Sequence, residues 1–301
     1  MSLKATIEAA QHYLKPEHVD CVVYHSPCND GSGAAIGAWV ARGDTVTYEK
    51  LAYHKDFNEA AIAGKNVVVL DASFKKDELL RLRTIAKKIM VLDHHDSAMR
   101  DLAGEAGCFF EMHNSGAMLS WHYFNGLDAA PPKFISLIED RDLWRWQYRD
   151  ESEPLYYALR ERSASSDFRA YIQYLEPEKL AEIIAFGKTL VAANHIWCEQ
   201  TAKQAQRSIF KLPGTDVTYN IMCIEVSNDK LVSELSEYLY TQHKMDFVML
   251  WCKVGAKYKI SFRSNSPTIN LGEIASALGG GGHKKAAGAV IEVSPLDFLE
   301  P

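Results

Sequence analysis

No uninterrupted apolar run in this 301-residue chain approaches the ~20 residues that a membrane-spanning helix needs, so an integral helical membrane protein is excluded. Glycine (18) and proline (10) are sparse and scattered, which excludes a collagen-like or disordered chain. The six cysteines (Cys21, Cys28, Cys108, Cys198, Cys223, Cys252) form no CxxC and no tight cluster. That argues against a disulfide framework or a zinc knuckle and predicts reduced thiols in a cytoplasmic protein. The opening stretch MSLKATIEAAQHYLKPE carries charges and no long apolar segment, so no secretory leader is expected. Positive charge is short as well: 33 Lys and Arg against 39 Asp and Glu leave a net charge of −6. Such a chain repels long nucleic acid on average, so a phosphate-bearing partner should be small or met by a local positive pocket. What is present, 47% apolar and 24% charged residues, is the mix of a globular protein with room for two domains.

Three short apolar runs dominate the first third: residues 19–24 (VDCVVY), 66–70 (NVVVL) and 88–92 (KIMVL). They are continuous rather than alternating, as strands of a parallel sheet buried on both faces should be. Residues 75–87 (KKDELLRLRTIAK) place Leu79, Leu82 and Ile85 at helical spacing and predict an amphipathic crossover helix. The small-residue stretch 31–39 (GSGAAIGAW) suits a helix packed closely after the first strand. Residues 177–210 are apolar at helical spacing and contain no proline after Pro177, which predicts one or two linking helices. Strands near 219–224, 247–254 and 257–263 and a helix near 271–278 predict a second α/β domain. The expected fold is therefore α/β, with an N-terminal parallel-sheet domain over 1–176, a helical linker over 177–210 and a smaller C-terminal α/β domain over 211–301.

Each of the first three strands runs into polar residues: the first into His25 and Asn29-Asp30-Gly31, the second into Asp71, the third into Asp93-His94-His95. Ligands of open parallel sheets bind at the carboxyl ends of the strands. With the acidic pair Asp140 and Asp142, this inventory of imidazole and carboxylate is what two neighbouring divalent cations require. Nitrogen and oxygen donors without a thiolate cluster favour Mn²⁺, ahead of Mg²⁺, Co²⁺, Fe²⁺ or Zn²⁺. Near the C-terminus, Gly279, Gly280, Gly281 and Gly282 precede His283-Lys284-Lys285. Such a run lets backbone N–H groups approach an anion, and the three basic residues add local positive charge. Arg263, ending a predicted strand, has the fork geometry to clamp a phosphate.

These motifs, in this order, resemble the DHH phosphoesterase superfamily with its DHH-associated C-terminal domain, including members of the nanoRNase type. The match spans nearly the whole chain. The resemblance implies two domains flanking an active-site cleft and a two-metal site on the first. It implies that Asp71 bridges the metals, that Asp30 and His94 hold one, and that His25 helps hold the other. It implies that His95 contacts the scissile phosphate while Asp93 orients the histidine pair. The family's later acidic motif is matched best by Asp142-Leu-Trp-Arg-Trp146 through its aromatic spacing, with Asp140, two residues away, as the alternative. One departure is plain: where the family commonly has Asp-x-Asp-Gly, this chain reads Cys28-Asn29-Asp30-Gly31, so Cys28 is either a soft metal ligand or packing. The GGGH-type run implies substrate binding by Arg263, the glycines and His283.

The expected activity is a metal-dependent phosphodiesterase that converts short oligonucleotides to mononucleotides, without stable binding of long nucleic acid or of membranes. Trp144 and Trp146 either stack a base or pack the core. Alternatives are a cyclic-dinucleotide phosphodiesterase, a 3′-phosphoadenosine 5′-phosphate phosphatase, an exopolyphosphatase, a single-strand exonuclease, or a non-catalytic binding module of the same fold. The sequence leaves a homodimer open.

Overall fold

A computed structural model describes residues 2–52, 56–162, 167–227 and 231–300. The chain forms two compact units, Met1–Val191 and Ala192–Pro301. In the first, five parallel strands, β1 (Cys21–His25), β2 (Thr47–Leu51), β3 (Asn66–Leu70), β4 (Lys88–Asp93) and β5 (Cys108–Phe110), lie in the order β2-β1-β3-β4-β5. The three apolar runs are the three central strands. Val22, Val68, Met90 and Leu92 enter one core with Ile7 and Tyr123, while Val23, Val67, Val69 and Val91 enter another with Leu79 and Leu82. Burial on both faces is the reason these runs do not alternate. The two flanking strands were not legible. β2 (TYEKL) is an edge strand in which only Leu51 is buried, and β5 has only three residues.

The helices of this unit are α1 (Leu3–Tyr13), α2 (Asn29–Arg42), α3 (Lys76–Leu82), α4 (Asp96–Asp101), α5 (Gly116–Asn125), α6 (Lys133–Asp142) and α7 (Arg149–Arg162), followed by α8 (Pro177–Ala202), which continues into the second unit. The crossover helix expected to Lys87 stops at Leu82. The Thr84 hydroxyl bonds back to the Arg81 carbonyl at 2.7 Å, and Thr84 and Ile85 are β-branched. Strand order now matters. From β1 the chain turns outward to β2, and from β3 it moves the other way to β4. The β1/β3 crevice is the topological switch point of a doubly wound sheet, where ligands bind beyond the strand ends.

The second unit holds β6 (Gln206–Lys211), β7 (Thr218–Glu225), α9 (Val232–Gln242), β8 (Phe247–Val254), β9 (Lys257–Arg263), α10 (Leu271–Ala277), β10 (Gly281–His283), β11 (Ala286–Ile291) and β12 (Leu299–Glu300). Its sheet runs β10-β11-β9-β8-β7-β6-β12, antiparallel throughout except for the β7–β8 pair. Phe210, Phe247 and Phe262 pack one face with Leu271 and Ile274. Met222, Val248 and Leu250 pack the other with Leu235 and Leu239. The expected helical linker to Phe210 is corrected here: the helix ends at Ala202, and Gln206–Lys211 is already a strand of the second sheet, paired with β7. Among the described residues no cysteine forms a disulfide. Among the described residues no helix is long and apolar enough to cross a membrane.

Candidate metal centre

The strand ends deliver their polar residues to one place. His25 closes β1, Asp93 closes β4, and Asp71 follows β3 directly. Asp71 takes a left-handed backbone with φ at +55°, a conformation that aspartate tolerates better than most residues, and it is 1% exposed. Its two carboxylate oxygens face different partners. Oδ1 lies 3.2 Å from His94 Nε2, and Oδ2 lies 3.5 Å from His25 Nδ1. His94 Nε2 also lies 3.5 Å from Asp30 Oδ2 and 3.7 Å from Asp142 Oδ2. Donor atoms fall into overlapping sets within 4.8 Å of one another: His25, Cys28 and Asp71; Asp30, His94 and Asp142; Asp71, Asp93, His94 and His95.

Asp30, in the first turn of α2, reaches the start of α5. It accepts from Gly116 N at 2.7 Å and Ala117 N at 3.0 Å, so it caps a helix as well as joining the cluster. Asp93 Oδ1 accepts from His94 N and faces His95 Nδ1, each at 2.7 Å, which fixes the ring of His95. Close approach makes two glycines necessary. A Cβ on Gly31 would sit 2.1 Å from the His25 carbonyl oxygen, and one on Gly116 would sit 2.4 Å from Asp71 Cβ.

Like charges are crowded together at this site. Burial and repulsion from Asp71 and Asp142 hold the Asp30 carboxyl well above its usual range. Burial alone would raise Asp71 too, but hydrogen bonds from His25 and His94 hold it well below. Burial works against the charged form of His94, and its hydrogen bond to Asp71 with the charges of Asp142 and Asp30 overcomes it and raises the imidazole. Burial, then the charges of Asp71 and Asp30, push the Cys28 thiol well up. Asp93 Oδ2 is buried without a hydrogen bond among the described residues, and Asp71 Oδ2 is met only by the 3.5 Å approach of His25 Nδ1. Carboxylate and imidazole donors, crowded like charges and an orphaned carboxylate oxygen together fit divalent cations.

Asp142 is therefore the residue of the acidic pair that joins the cluster. Asp140 points elsewhere: its buried carboxylate accepts from Gln147 N (2.7 Å), Tyr148 N (3.2 Å) and Ser152 Oγ (2.6 Å), which anchors the start of α7. Asp140→Ala strands three donors and is expected to lower stability by about 3 kcal/mol while leaving bound Mn²⁺ per chain unchanged. Thermal melts with metal analysis check this, and loss of metal without loss of stability would make Asp140 a ligand after all.

Residues with no sequence signal also support the site. Asn114 Nδ2 and Ser115 N donate to Glu139 Oε2 at 3.2 and 3.0 Å, and Arg145 donates to Glu139 Oε1, which locks the entry to α5. Ser115 is the N-cap of α5, its side chain accepting from Met118 N.

The substrate residues expected from the C-terminal run lie in the second unit. Gly281, Gly282 and His283 form edge strand β10 opposite Ala286–Gly288. A Cβ on Gly280 would meet Gly288 O at 2.1 Å, and one on Gly282 would meet Ala286 O at 2.6 Å, so these glycines serve close strand packing. Gly279 has φ at +77° and turns the chain out of α10. Arg263 pairs with Ala286 across β9–β11, and its guanidinium donates to Ser233 Oγ (3.2 Å) and Phe262 O (2.9 Å).

Residues 216–299 match the DHHA1 domain family. A mimivirus protein, the uncharacterized R106 of Acanthamoeba polyphaga mimivirus, is 27% identical over 293 residues, covering 90% of this chain and 67% of that one. Among solved structures, an exopolyphosphatase-related protein from Bacteroides fragilis aligns with a TM-score of 0.58 at 13% identity, covering 98% of this chain and 93% of that one. A pGpG-specific phosphodiesterase, PggH from Vibrio cholerae, aligns with a TM-score of 0.53 at 13% identity, covering 92% and 95%. The exonuclease RecJ bound to manganese aligns with a TM-score of 0.51 at 13% identity, covering 97% and 90%.

Proposed function

We propose that this chain, whose residues 216–299 match the DHHA1 domain family, is a member of the DHH superfamily and a metal-dependent phosphodiesterase converting short oligonucleotides to mononucleotides. The observation that carries this reading is Asp71, whose Oδ2 faces His25, grouped with Cys28, and whose Oδ1 faces His94, itself grouped with Asp30 and Asp142. Similarity to a pGpG-specific enzyme supports a dinucleotide-sized substrate, and similarity to RecJ bound to manganese supports Mn²⁺. The net charge of −6 argues against grip on long strands.

Divalent cations bound here would supply Lewis-acid charge stabilisation and an activated water. The chain's own residues set the rest. Asp71 would bridge the cations, with His25, Asp30, His94 and Asp142 holding them and Cys28 within reach. Burial disfavours charge on His95, but its bond to Asp93 wins and raises the imidazole. The ring is thus biased toward imidazolium, and with Nδ1 engaged by Asp93, Nε2 is the nitrogen assigned to a phosphoryl oxygen. We assign substrate holding in the DHHA1 domain to Arg263, the 279–282 glycines and His283.

The test is a hydrolysis screen with Mn²⁺ on di- to pentanucleotides, a long single strand, cyclic dinucleotides, 3′-phosphoadenosine 5′-phosphate and polyphosphate, alongside metal analysis. About two Mn²⁺ per chain and fastest turnover of the short oligonucleotides are expected. Preference for any other substrate overturns the assignment, and absence of metal binding leaves a binding module.

A further inference from the structure

Immediately after Asp142 the backbone does something unusual. Trp144 and Trp146 both adopt left-handed conformations, with φ at +56° and +59°. Large side chains rarely take this region, and it persists only where surrounding structure imposes it. Asp140 imposes it here. Its carboxylate receives Gln147 N and Tyr148 N, and its carbonyl receives Arg145 N at 2.9 Å, so the loop is tied down between its two tryptophans and just beyond them.

The result places the two rings together, with centroids 4.7 Å apart at 64°. Guanidinium groups line them. Arg141 Cζ lies 4.2 Å from the Trp144 centroid and 5.3 Å from that of Trp146, and Arg149 Cζ lies 4.4 Å from that of Trp146. Arg141 also lies 4.0 Å from the ring of Tyr156. Core packing does not account for this arrangement. Neither tryptophan belongs to the apolar clusters of the first unit, and both remain partly exposed. The indole N–H of Trp146 is buried with no hydrogen-bond acceptor among the described residues.

We propose that Trp144 and Trp146, backed by Arg141 and Arg149, form the seat for a nucleobase of the substrate. Aromatic faces beside guanidinium groups stack any base. Asp142, at the metal cluster, is only two residues from Trp144. Arg149 is held beside the Trp146 ring by its ion pair with Glu153 at 3.1 Å, and Arg145 by its pair with Glu139, so the loop that carries both tryptophans is braced from either side. A polyphosphate chain offers nothing to stack, so the seat selects base-bearing substrates. This rests on the proposed phosphodiesterase for its chemistry, but recognition of the base is measurable without turnover.

The experiment titrates the full Mn²⁺-loaded chain with adenosine 5′-monophosphate and with ribose 5-phosphate by calorimetry, for the wild type, Trp144→Ala, Trp146→Ala and Trp146→Phe. The wild type should bind the nucleotide about tenfold or more tightly than the sugar phosphate. Either alanine variant should remove that preference while ribose 5-phosphate affinity and bound Mn²⁺ stay constant, and Trp146→Phe should keep most of it. Equal affinities in the wild type, or equal losses for both ligands in the variants, overturn the proposal. If an alanine variant does not fold, the wild-type comparison and the phenylalanine variant decide. A base preference in a protein that hydrolyses no phosphodiester sinks the enzymatic reading and keeps the seat.

Discussion

Asp71→Asn should leave a folded protein that has lost its shared metal position: bound Mn²⁺ should fall from about two per chain to one or none. Turnover of an aryl phosphodiester should fall by at least about 10³-fold, because several kcal/mol of charge stabilisation leave with the cations. The side chain is 1% exposed and stands between His25 and His94, so no neighbouring group can replace it without moving a strand end. Asparagine keeps the shape and removes the charge, which separates metal binding from packing. Metal analysis after gel filtration and steady-state kinetics are the readouts, and a variant with wild-type turnover would refute the bridge. Asp30→Asn is a less clean probe. It also disturbs the cap on α5, so its metal loss should come with a lower melting temperature.

Gly116→Ala should be nearly as damaging while touching no polar group. Its Cβ would lie 2.4 Å from Asp71 Cβ and 2.9 Å from Asp71 Cα, atoms that cannot swing aside. Either α5 or the Asp71 backbone must shift by about 1 Å, a displacement that commonly costs about 10²-fold in rate when catalytic geometry is tight. The same argument applies to Gly31→Ala, where the obstacle is the carbonyl oxygen of His25 at 2.1 Å. Overpacking should also lower stability by about 1–3 kcal/mol. The measurement is kcat together with thermal midpoint for both variants. Unaltered kcat with unaltered Mn²⁺ content would mean that the site tolerates displacement and that these contacts are not what holds it.

Much of this site could be read before any coordinates. The runs VVY, VVVL and IMVL are continuous because both faces of the sheet are covered, and residues just past a buried strand must lie at its end. His25, Asp71 and Asp93-His94-His95 were visible for that reason. The choice between Asp140 and Asp142 was not. The two are a half-turn apart on α6, and only the packing of that helix's end sends one carboxylate to His94 and the other into the start of α7. The close contact of Gly116 with Asp71 was equally hidden, because it joins segments 45 positions apart that share no pattern. In the second unit the glycine run suggested an anion loop. Gly280 and Gly282 also pack closely against β11, a role that depends on a partner strand and leaves no local trace.

Periodicity and local chemistry are properties of neighbours along the chain, and they were enough to establish an α/β protein whose strands end in metal-binding residue types. Which of those residues meet depends on strand order. β1 and β3 become adjacent only because β2 is set outside them, and Asp142 arrives from a helix more than a hundred residues after β1. Distances between side chains that far apart in sequence are decided by how helices and sheet bury their apolar faces together. No arrangement of residues within a single segment encodes them.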